Sequence, residues 1–298
     1  MSSNAPTASA AGALAQALTG WTPGAMHSSR RVDPWPAAAF AALLDTEPPP
    51  LGPGDPLPPL WHWFTLLEHP AQAELGADGH PADGHFLPPI PHRRRMFAGG
   101  RYRRHRPILV GDDLACRSTI AEVSVKQGRT GELAFVTVRH ELSVDGVPVG
   151  VEEQDIVYRS QPEGTARTHT ASAPPTAAPS TSDWRLTQPT DPVLLFRFSA
   201  LTYNGHRIHY DTPYATGVEG YPGLVVHGPL LALLALELPR RQAPTETVTE
   251  FAYRLVRPAF AGTVIEATAR RHGAELDLAV GAEQADSSLT AIVTLGSP

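Results

Sequence analysis

The longest apolar run of the chain follows Pro229. In the segment LLALLALEL, residues 230–238, leucine or alanine fills nearly every position. A helix that is apolar on all sides must be buried on all sides, and a proline fits its first turn, where a missing N–H has no bond to lose. The pattern therefore predicts a central, buried helix that begins at Pro229 and is stopped by Pro239.

Six segments in which polar and apolar residues alternate, or β-branched and aromatic residues gather, predict strands. In the first half they are residues 132–142 and 149–158, and in the second half 248–256, 263–271, 275–280 and 288–295. Short turns that contain glycine separate them. Strands that follow one another through tight turns form an antiparallel meander rather than a parallel sheet.

One short pattern occurs in both halves of the chain, as RPILVG at residues 106–111 and as RPAFAG at residues 257–262. Each copy leads into strand-like residues. Chance is the alternative for so short a pattern, but the agreement of position and context favours duplication of one fold. An antiparallel sheet curled around an apolar helix is the hot-dog arrangement. We therefore predict an α+β double hot-dog, with two antiparallel sheets each wrapped around a central helix.

The clearest boundary lies in the stretch SQPEGTARTHTASAPPTAAPSTSD, which is rich in Pro, Ala, Ser and Thr. A segment with almost no large apolar side chain cannot offset the entropy of becoming ordered, so it is typical of a linker. We predict an N-terminal domain at residues 1–160, a linker at 161–183 and a C-terminal catalytic domain at 184–298.

Composition limits the cellular setting and the partners. The single cysteine, Cys116, excludes an internal disulfide and fits a reducing compartment. A formal net charge of −6 argues against a general nucleic-acid binder. The first residues lack the basic start of a secretory signal, and no apolar run is long enough to cross a bilayer. We expect a cytoplasmic protein with no nucleic-acid or membrane partner.

Polar side chains concentrate in the segment FRFSALTYNGHRIHYD, residues 196–211. Histidine exchanges a proton near neutral pH, as His206 and His209 can, and Asn204 can hold a water without ionising. This trio suits the addition or removal of water across a polarised double bond. Two alternatives stay open. The histidines can be hydrogen-bonding residues at an interface, or they can bind zinc together with His227, although no cysteine pair accompanies them.

The N–H of Gly228 lies at the start of the predicted central helix. A helix N-terminus presents unpaired N–H groups and a partial positive charge. Because glycine has no side chain, a carbonyl oxygen can approach this N–H, which would stabilise the enolate oxygen of a thioester. The alternative is a loop-to-helix junction without a ligand.

Seven arginines lie in the segment PHRRRMFAGGRYRRHRP, residues 91–107. Guanidinium groups suit phosphate oxygens, and glycine allows the backbone to approach a ligand closely. We predict that Arg95, Gly99 and Arg101 contact coenzyme A. The alternative is a solvated basic surface.

The motifs SALTYNGHRIHYD and GYPGLVVHGPL resemble those of the MaoC-like hydratases, and within them the group of hydroxyacyl-thioester dehydratases type 2 and 3-methylfumaryl-CoA (mesaconyl-C4-CoA) hydratases. RRMFAGGRYRRHRP and GDDLACRSTIAEV resemble the degenerate N-terminal hot-dog of the same proteins. The resemblance implies a hydro-lyase that interconverts 2-enoyl and 3-hydroxyacyl thioesters. It also implies no metal or redox cofactor, with coenzyme A present only as part of the substrate.

The chain departs from the broader family motif, which runs Asp, any residue, Asn-Pro, an apolar residue, His. His209 matches the histidine, whereas Asn204 stands in place of the aspartate and His206 in place of the asparagine. Because an asparagine cannot serve as a base, the resemblance implies that His209 is the general base and acid. Asn204 would then position the water, His206 would orient it or supply a second proton route, and the Gly228 N–H would hold the thioester oxygen.

The substrate and the partners stay less defined. Tyr203 and His227 are predicted substrate contacts, and Arg207 either pairs with a free carboxylate on a dicarboxylic acyl chain or forms an i,i+4 ion pair with Asp211. The resemblance favours a short branched or dicarboxylic acyl-CoA such as mesaconyl-C4-CoA, with an acyl carrier protein thioester as the other carrier. A hot-dog thioesterase and a non-catalytic acyl-CoA-binding protein are the alternative functions. A monomer and a homodimer are both compatible with the sequence.

Overall fold

The computed structural model describes residues 12–83, 86–90, 92–128, 131–160 and 182–297. Its α-helices are α1 (Ala13–Ala17), α2 (Pro34–Leu43), α3 (Pro192–Leu201) and α4 (Gly228–Gln242). Its strands are β1 (Met26–Arg31), β2 (Arg93–Arg104), β3 (Asp113–Gly128), β4 (Gly131–Val144), β5 (Val147–Ser160), β6 (Trp184–Pro189), β7 (Thr247–Leu255), β8 (Val264–His272), β9 (Glu275–Ala282) and β10 (Leu289–Gly296). Apart from residues 182 and 183, the predicted linker lies outside the described residues.

All ten strands belong to one antiparallel sheet in the order β1-β3-β4-β5-β2-β7-β10-β9-β8-β6. The first five come from the first half of the chain and the last five from the second. The halves join where β2 pairs with β7, from Gly99 opposite Arg254 to Arg103 opposite Glu250. The predicted antiparallel α+β architecture is confirmed, and this pairing joins the two predicted sheets into one continuous sheet.

In each half of the chain, a strand leads into a helix through a capping aspartate. β1 leads to α2 through Asp33, whose carboxylate accepts the Trp35 N–H at 2.7 Å. β6 leads to α3 through Asp191, whose carboxylate accepts the Leu194 N–H at 2.7 Å. In both cases a proline follows the cap, where its lack of an N–H costs no helical hydrogen bond.

The RPxxxG repeats also occupy equivalent places. Their last glycines, Gly111 and Gly262, have φ values of +95° and +84°, a conformation that glycine adopts without strain. Just before them, the carbonyl of Ile108 accepts the Leu57 N–H and the carbonyl of Ala259 accepts the Val226 N–H, both at 2.8 Å. Matching hydrogen bonds at matching positions support duplication.

In the described part of the chain, only the second half contains a long central helix. α4 packs against β6, β7, β8 and β9, and its residues from Leu230 to Pro239 are buried, as its apolar sequence predicts. At the equivalent place in the first half, a short 3-10 turn at Trp61–Phe64 follows Leu57. The prediction of a central helix in each half is therefore wrong for the first half.

An aromatic cluster fills the core where the first half lacks its helix. The Phe40 ring of α2 lies 5.2 Å from the Trp61 ring and 4.9 Å from the Phe64 ring. Phe64 and Phe40 both contact Phe198 of α3, so the cluster ties the two halves together. Among the described residues, no helix has the length and hydropathy needed to cross a membrane.

Candidate active site

The segment Asn204–His209 forms a loop that leaves the end of α3. The Asn204 N–H donates to the Ser199 carbonyl at 2.8 Å, and the Asn204 Oδ1 accepts the His206 N–H at 2.9 Å. A 3-10 turn over Arg207–His209 follows. The side-chain oxygen of Asn204 therefore shapes the loop, which leaves its Nδ2 as the group that can position a water.

His209 is held as a neutral base. Its Nδ1 lies 2.7 Å from the Val225 carbonyl oxygen, which can only accept, so Nδ1 carries the proton and Nε2 keeps its lone pair. Burial is the largest effect and lowers the pKa of His209 to about 4. The hydrogen bond to Val225 raises this pKa, and the charge of His80 lowers it. At neutral pH the imidazole is therefore uncharged and its Nε2 can accept a proton.

The ring of His227 packs against the ring of His209. The two rings are stacked with centroids 3.7 Å apart, and the Nε2 of His227 lies 2.8 Å from the Ser199 Oγ. Burial, followed by the charges of His209 and His206, lowers the pKa of His227 well below its usual value. The His227 ring is fully buried and packs against the base, and its role as a substrate contact stays a prediction.

The same packing brings the N-terminus of α4 to His209. Gly228 follows His227 directly, and its N–H has no acceptor among the described residues. A Cβ at Gly228 would lie 2.6 Å from the Leu255 Cδ1 and 3.2 Å from the Phe97 Cδ1, so glycine allows the helix to start close to β2 and β7. An unpaired N–H at a helix N-terminus beside a neutral imidazole can hold a developing oxyanion.

The first half contributes a segment that sequence reasoning missed. In the turn around Gly79, with φ of +86°, the Asp78 carbonyl accepts the Arg207 N–H at 2.9 Å. The His80 ring lies 4.0 Å from the His206 ring, which in turn lies 5.3 Å from the His209 ring. No sequence pattern links these segments, because they are more than 120 residues apart along the chain.

The zinc hypothesis takes a different form in the structure. Among the described residues, the trio predicted from sequence (His206, His209 and His227) does not form a group whose ligand atoms all lie close together. Ligand atoms of Asp78, His80 and His206 all lie within 4.8 Å of one another. Zinc bonds of about 2 Å would require these atoms to move closer together.

Two of the predicted coenzyme A contacts have other structural roles. Arg101 forms ion pairs with Glu153 at 2.9 Å and with Asp155 at 2.9 Å. Its side chain lies on the exposed face of the sheet, since the residues on either side of it are buried. A Cβ at Gly99 would lie 2.4 Å from the Tyr253 carbonyl oxygen, so glycine there serves the pairing of β2 with β7.

Arg95 lies on the other face of β2, toward the site. Its charge acts on His80 and on Tyr158. It forms no ion pair with a carboxylate among the described residues, so it is the predicted arginine that can meet an anionic part of a substrate. Tyr203, with φ of +50°, is largely exposed beside the loop.

The guanidinium of Arg207 is bonded to groups close to it in the fold. Its Nε and Nη2 lie 3.0 Å and 2.8 Å from the Asp211 Oδ2, and its guanidinium lies 4.1 Å from the Tyr214 ring centroid. A further bond runs to the Ala77 carbonyl. Of the two roles open to Arg207, the structure shows the ion pair with Asp211.

Replacing Gly79 by alanine is expected to lower kcat by about tenfold to a hundredfold. The new Cβ would lie 1.9 Å from the Gly205 carbonyl oxygen, so one of the two loops must move, and small displacements near a reacting group are costly. Gly54→Ala is the matched control, because Gly54 has φ of +87° and nothing within 4 Å of its Cβ position. Equal activity of the two variants in a steady-state assay would show that the contact between the loops is dispensable.

Comparisons with known proteins identify the family of the chain. The family model for hydroxyacyl-thioester dehydratase type 2 matches residues 60–261. A mesaconyl-C(4)-CoA hydratase of Chloroflexus aurantiacus is 45% identical over 262 residues, which are 87% of this chain and 92% of that protein. The mitochondrial hydroxyacyl-thioester dehydratase type 2 of Schizosaccharomyces pombe is 29% identical over 68% of this chain and 74% of that protein.

The fold also matches solved structures. A MaoC-like dehydratase from Phytophthora capsici aligns with a TM-score of 0.65 over 95% of this chain and 99% of that one, at 12% identity. This likeness shows the fold, and the sequence relatives and the family model show the membership. The chain therefore belongs to the hydroxyacyl-thioester dehydratase type 2 family.

Proposed function

We propose that the chain catalyses the reversible hydration of 2-enoyl-CoA thioesters to 3-hydroxyacyl-CoA thioesters. One observation carries the proposal: the neutral His209, with its lone pair on Nε2, lies beside the unpaired N–H at the start of α4. A base and an oxyanion donor in one site are the two groups that this reaction requires. The Chloroflexus relative, which is named a hydratase, supports the same reaction.

The steps follow from these groups. As the oxygen of water bonds to the β-carbon, one of its protons passes to the Nε2 of His209. The π electrons move toward the α-carbon and the thioester oxygen, where the Gly228 N–H stabilises the enolate. The imidazolium of His209 then gives its proton to the α-carbon, which restores the neutral base. Dehydration is the reverse sequence.

For the acyl group, we propose mesaconyl-C4-CoA or a similar short, branched, dicarboxylic thioester. The name of the relative at 45% identity supports this choice. Arg95 is the group we assign to the free carboxylate, because it lies near His80 and has no carboxylate partner among the described residues. The single cysteine supports a cytoplasmic setting.

The test is the change of enoyl-thioester absorbance with a panel that includes crotonyl-CoA and mesaconyl-C4-CoA. We expect turnover, fastest on the dicarboxylic member, and no effect of a chelator, since no step requires a metal. Release of free thiol without loss of the double bond would instead indicate a thioesterase. Tight binding of the CoA esters without turnover would indicate a non-catalytic binding protein.

A further inference from the structure

The family motif places a carboxylate where this chain has Asn204, yet the structure brings another carboxylate to the site. We propose that His80, oriented by Asp78, holds the attacking water together with His209, and that this pair replaces the carboxylate that position 204 lacks. The inference rests on the proposed hydratase function. It assigns two residues of the first half to the catalytic group that otherwise comes from the second half.

Asp78 fixes the tautomer of His80. One carboxylate oxygen, Oδ1, accepts the His80 N–H at 3.0 Å, and the other, Oδ2, lies 3.2 Å from the His80 Nδ1. Because a carboxylate only accepts, Nδ1 carries the proton and Nε2 keeps its lone pair. His80 therefore has the same arrangement as His209, whose Nδ1 is occupied by a main-chain carbonyl.

The two imidazoles belong to one site. The His206 ring contacts both, at 4.0 Å from His80 and at 5.3 Å from His209. The side chain of His80 is 17% exposed, so it borders the site without being sealed off from it.

Contacts other than those of the His80 ring hold the turn around Gly79 in place. The Arg207 N–H donates to the Asp78 carbonyl, and the Arg207 Nη1 donates to the Ala77 carbonyl, both at 2.9 Å. Gly79 packs directly on Gly205. Since main-chain contacts already fasten the turn to the loop, the imidazole of His80 is available for another purpose.

The charged groups around His80 favour its neutral form. Burial is the largest effect and lowers its pKa, Asp78 and Glu219 raise it, and Arg95 lowers it. The net direction is downward from the usual value. Near neutral pH, the Nε2 atoms of His80 and His209 are therefore both unprotonated, so each can accept a hydrogen bond from the same water.

The chemistry balances with this pair. One O–H bond of the water breaks and its proton passes to His209 as the C–O bond forms. The other proton stays on the oxygen as part of the new hydroxyl group and donates to the Nε2 of His80 throughout. His80 gains and loses no proton, and Asp78 acts through it as a positioning residue.

The experiment compares His80→Gln with His80→Asn by steady-state kinetics. A glutamine amide can place an acceptor near the position of Nε2, whereas an asparagine amide reproduces only the donor at Nδ1 that Asp78 accepts. We expect His80→Asn to lower kcat about tenfold to a hundredfold with little change in KM, and His80→Gln to retain more of it. His69→Asn, an exposed histidine of the same half, is the control with unchanged activity.

Three results would overturn the inference. The first is full activity of His80→Asn in an enzyme that His209→Gln inactivates, which would leave the proposed function standing. The second is a loss of kcat in both His80 variants that merely follows a loss of thermal stability. The third is stoichiometric zinc that leaves together with the activity on chelation, because Asp78, His80 and His206 would then be metal ligands. No turnover of any thioester by the unmodified protein would overturn the function and the inference together.

A second readout is the pH profile of Asp78→Asn. Because the proposal requires both His80 and His209 to be neutral, the acid limb of kcat/KM follows both groups. The carboxylate of Asp78 raises the pKa of His80, so its removal should move that limb to lower pH. A purely structural role would lower the rate without moving that limb.

Discussion

Replacing His209 by glutamine is expected to lower kcat by about a hundredfold to ten-thousandfold, the usual contribution of a well-placed acid–base group. The reason is the geometry of the imidazole, whose Nδ1 is bound to the Val225 carbonyl and whose Nε2 is the lone pair that can take a proton from water. KM should change little, since the ring contributes to the reaction more than to ground-state binding. The measurement is steady-state loss of enoyl-thioester absorbance.

The pH dependence provides an independent check of the same assignment. The base works only when neutral, so activity is present above the pKa of His209 and is lost as the pH falls through that value, which burial lowers to about 4. The control is His69→Gln, a matched change at an exposed histidine. A His209→Gln enzyme that keeps more than about a tenth of its turnover would place the base elsewhere.

The second large effect is on stability. The His62 Nε2 and a carboxylate oxygen of Glu152 lie 2.9 Å apart in the core of the first half, and both side chains are almost fully buried. His62→Leu is expected to lower the free energy of unfolding by about 3–5 kcal/mol, because it leaves a buried charge without its partner. Urea unfolding followed by circular dichroism measures the change.

A second substitution separates the charge from the packing. Adding Glu152→Gln to His62→Leu removes the stranded charge while leaving an oxygen to accept the Trp63 Nε1, which lies 2.9 Å from Glu152. We expect the double variant to recover most of the lost stability. If it is as unstable as His62→Leu alone, the cost comes from packing and not from the buried charge.

Acid should act on the same pair. Burial raises the pKa of Glu152, but the hydrogen bond and charge of His62, helped by His140 and Gln154, lower it to about 2. Because this folded value is below the ordinary value of 4.5, the stabilisation is fully present above pH 4.5 and is lost as the pH falls through about 2. In His62→Leu the loss should begin at a higher pH.

Local patterns in the sequence were sufficient for much of the fold. The apolar run after Pro229 predicted α4, because a helix without a polar face has to be buried. Alternation predicted the later strands, and the RPxxxG repeat predicted two related halves. The prediction of a central helix in the first half went wrong because a repeat indicates common origin and not what each copy has kept.

The sequence also predicted some features of the site and not others. The motif placed His209, His206 and Asn204 on one loop, and the glycine before Pro229 at a helix start, as the structure has them. Whether they catalyse the proposed reaction stays a prediction for the kinetics above. The sequence did not indicate that Asn204 is bound to its own loop, since that depends on the turn geometry.

The sequence by itself determined what depends on neighbours along the chain: the central helix, the strands, the repeat and the loop that carries His209. Only the tertiary structure decided which face of β2 each arginine occupies, that His227 is buried beneath His209, and that Asp78 and His80 lie against His206. The physical reason is distance along the chain. The two halves of the chain meet in the last of these contacts, and periodicity carries no information about partners so far apart.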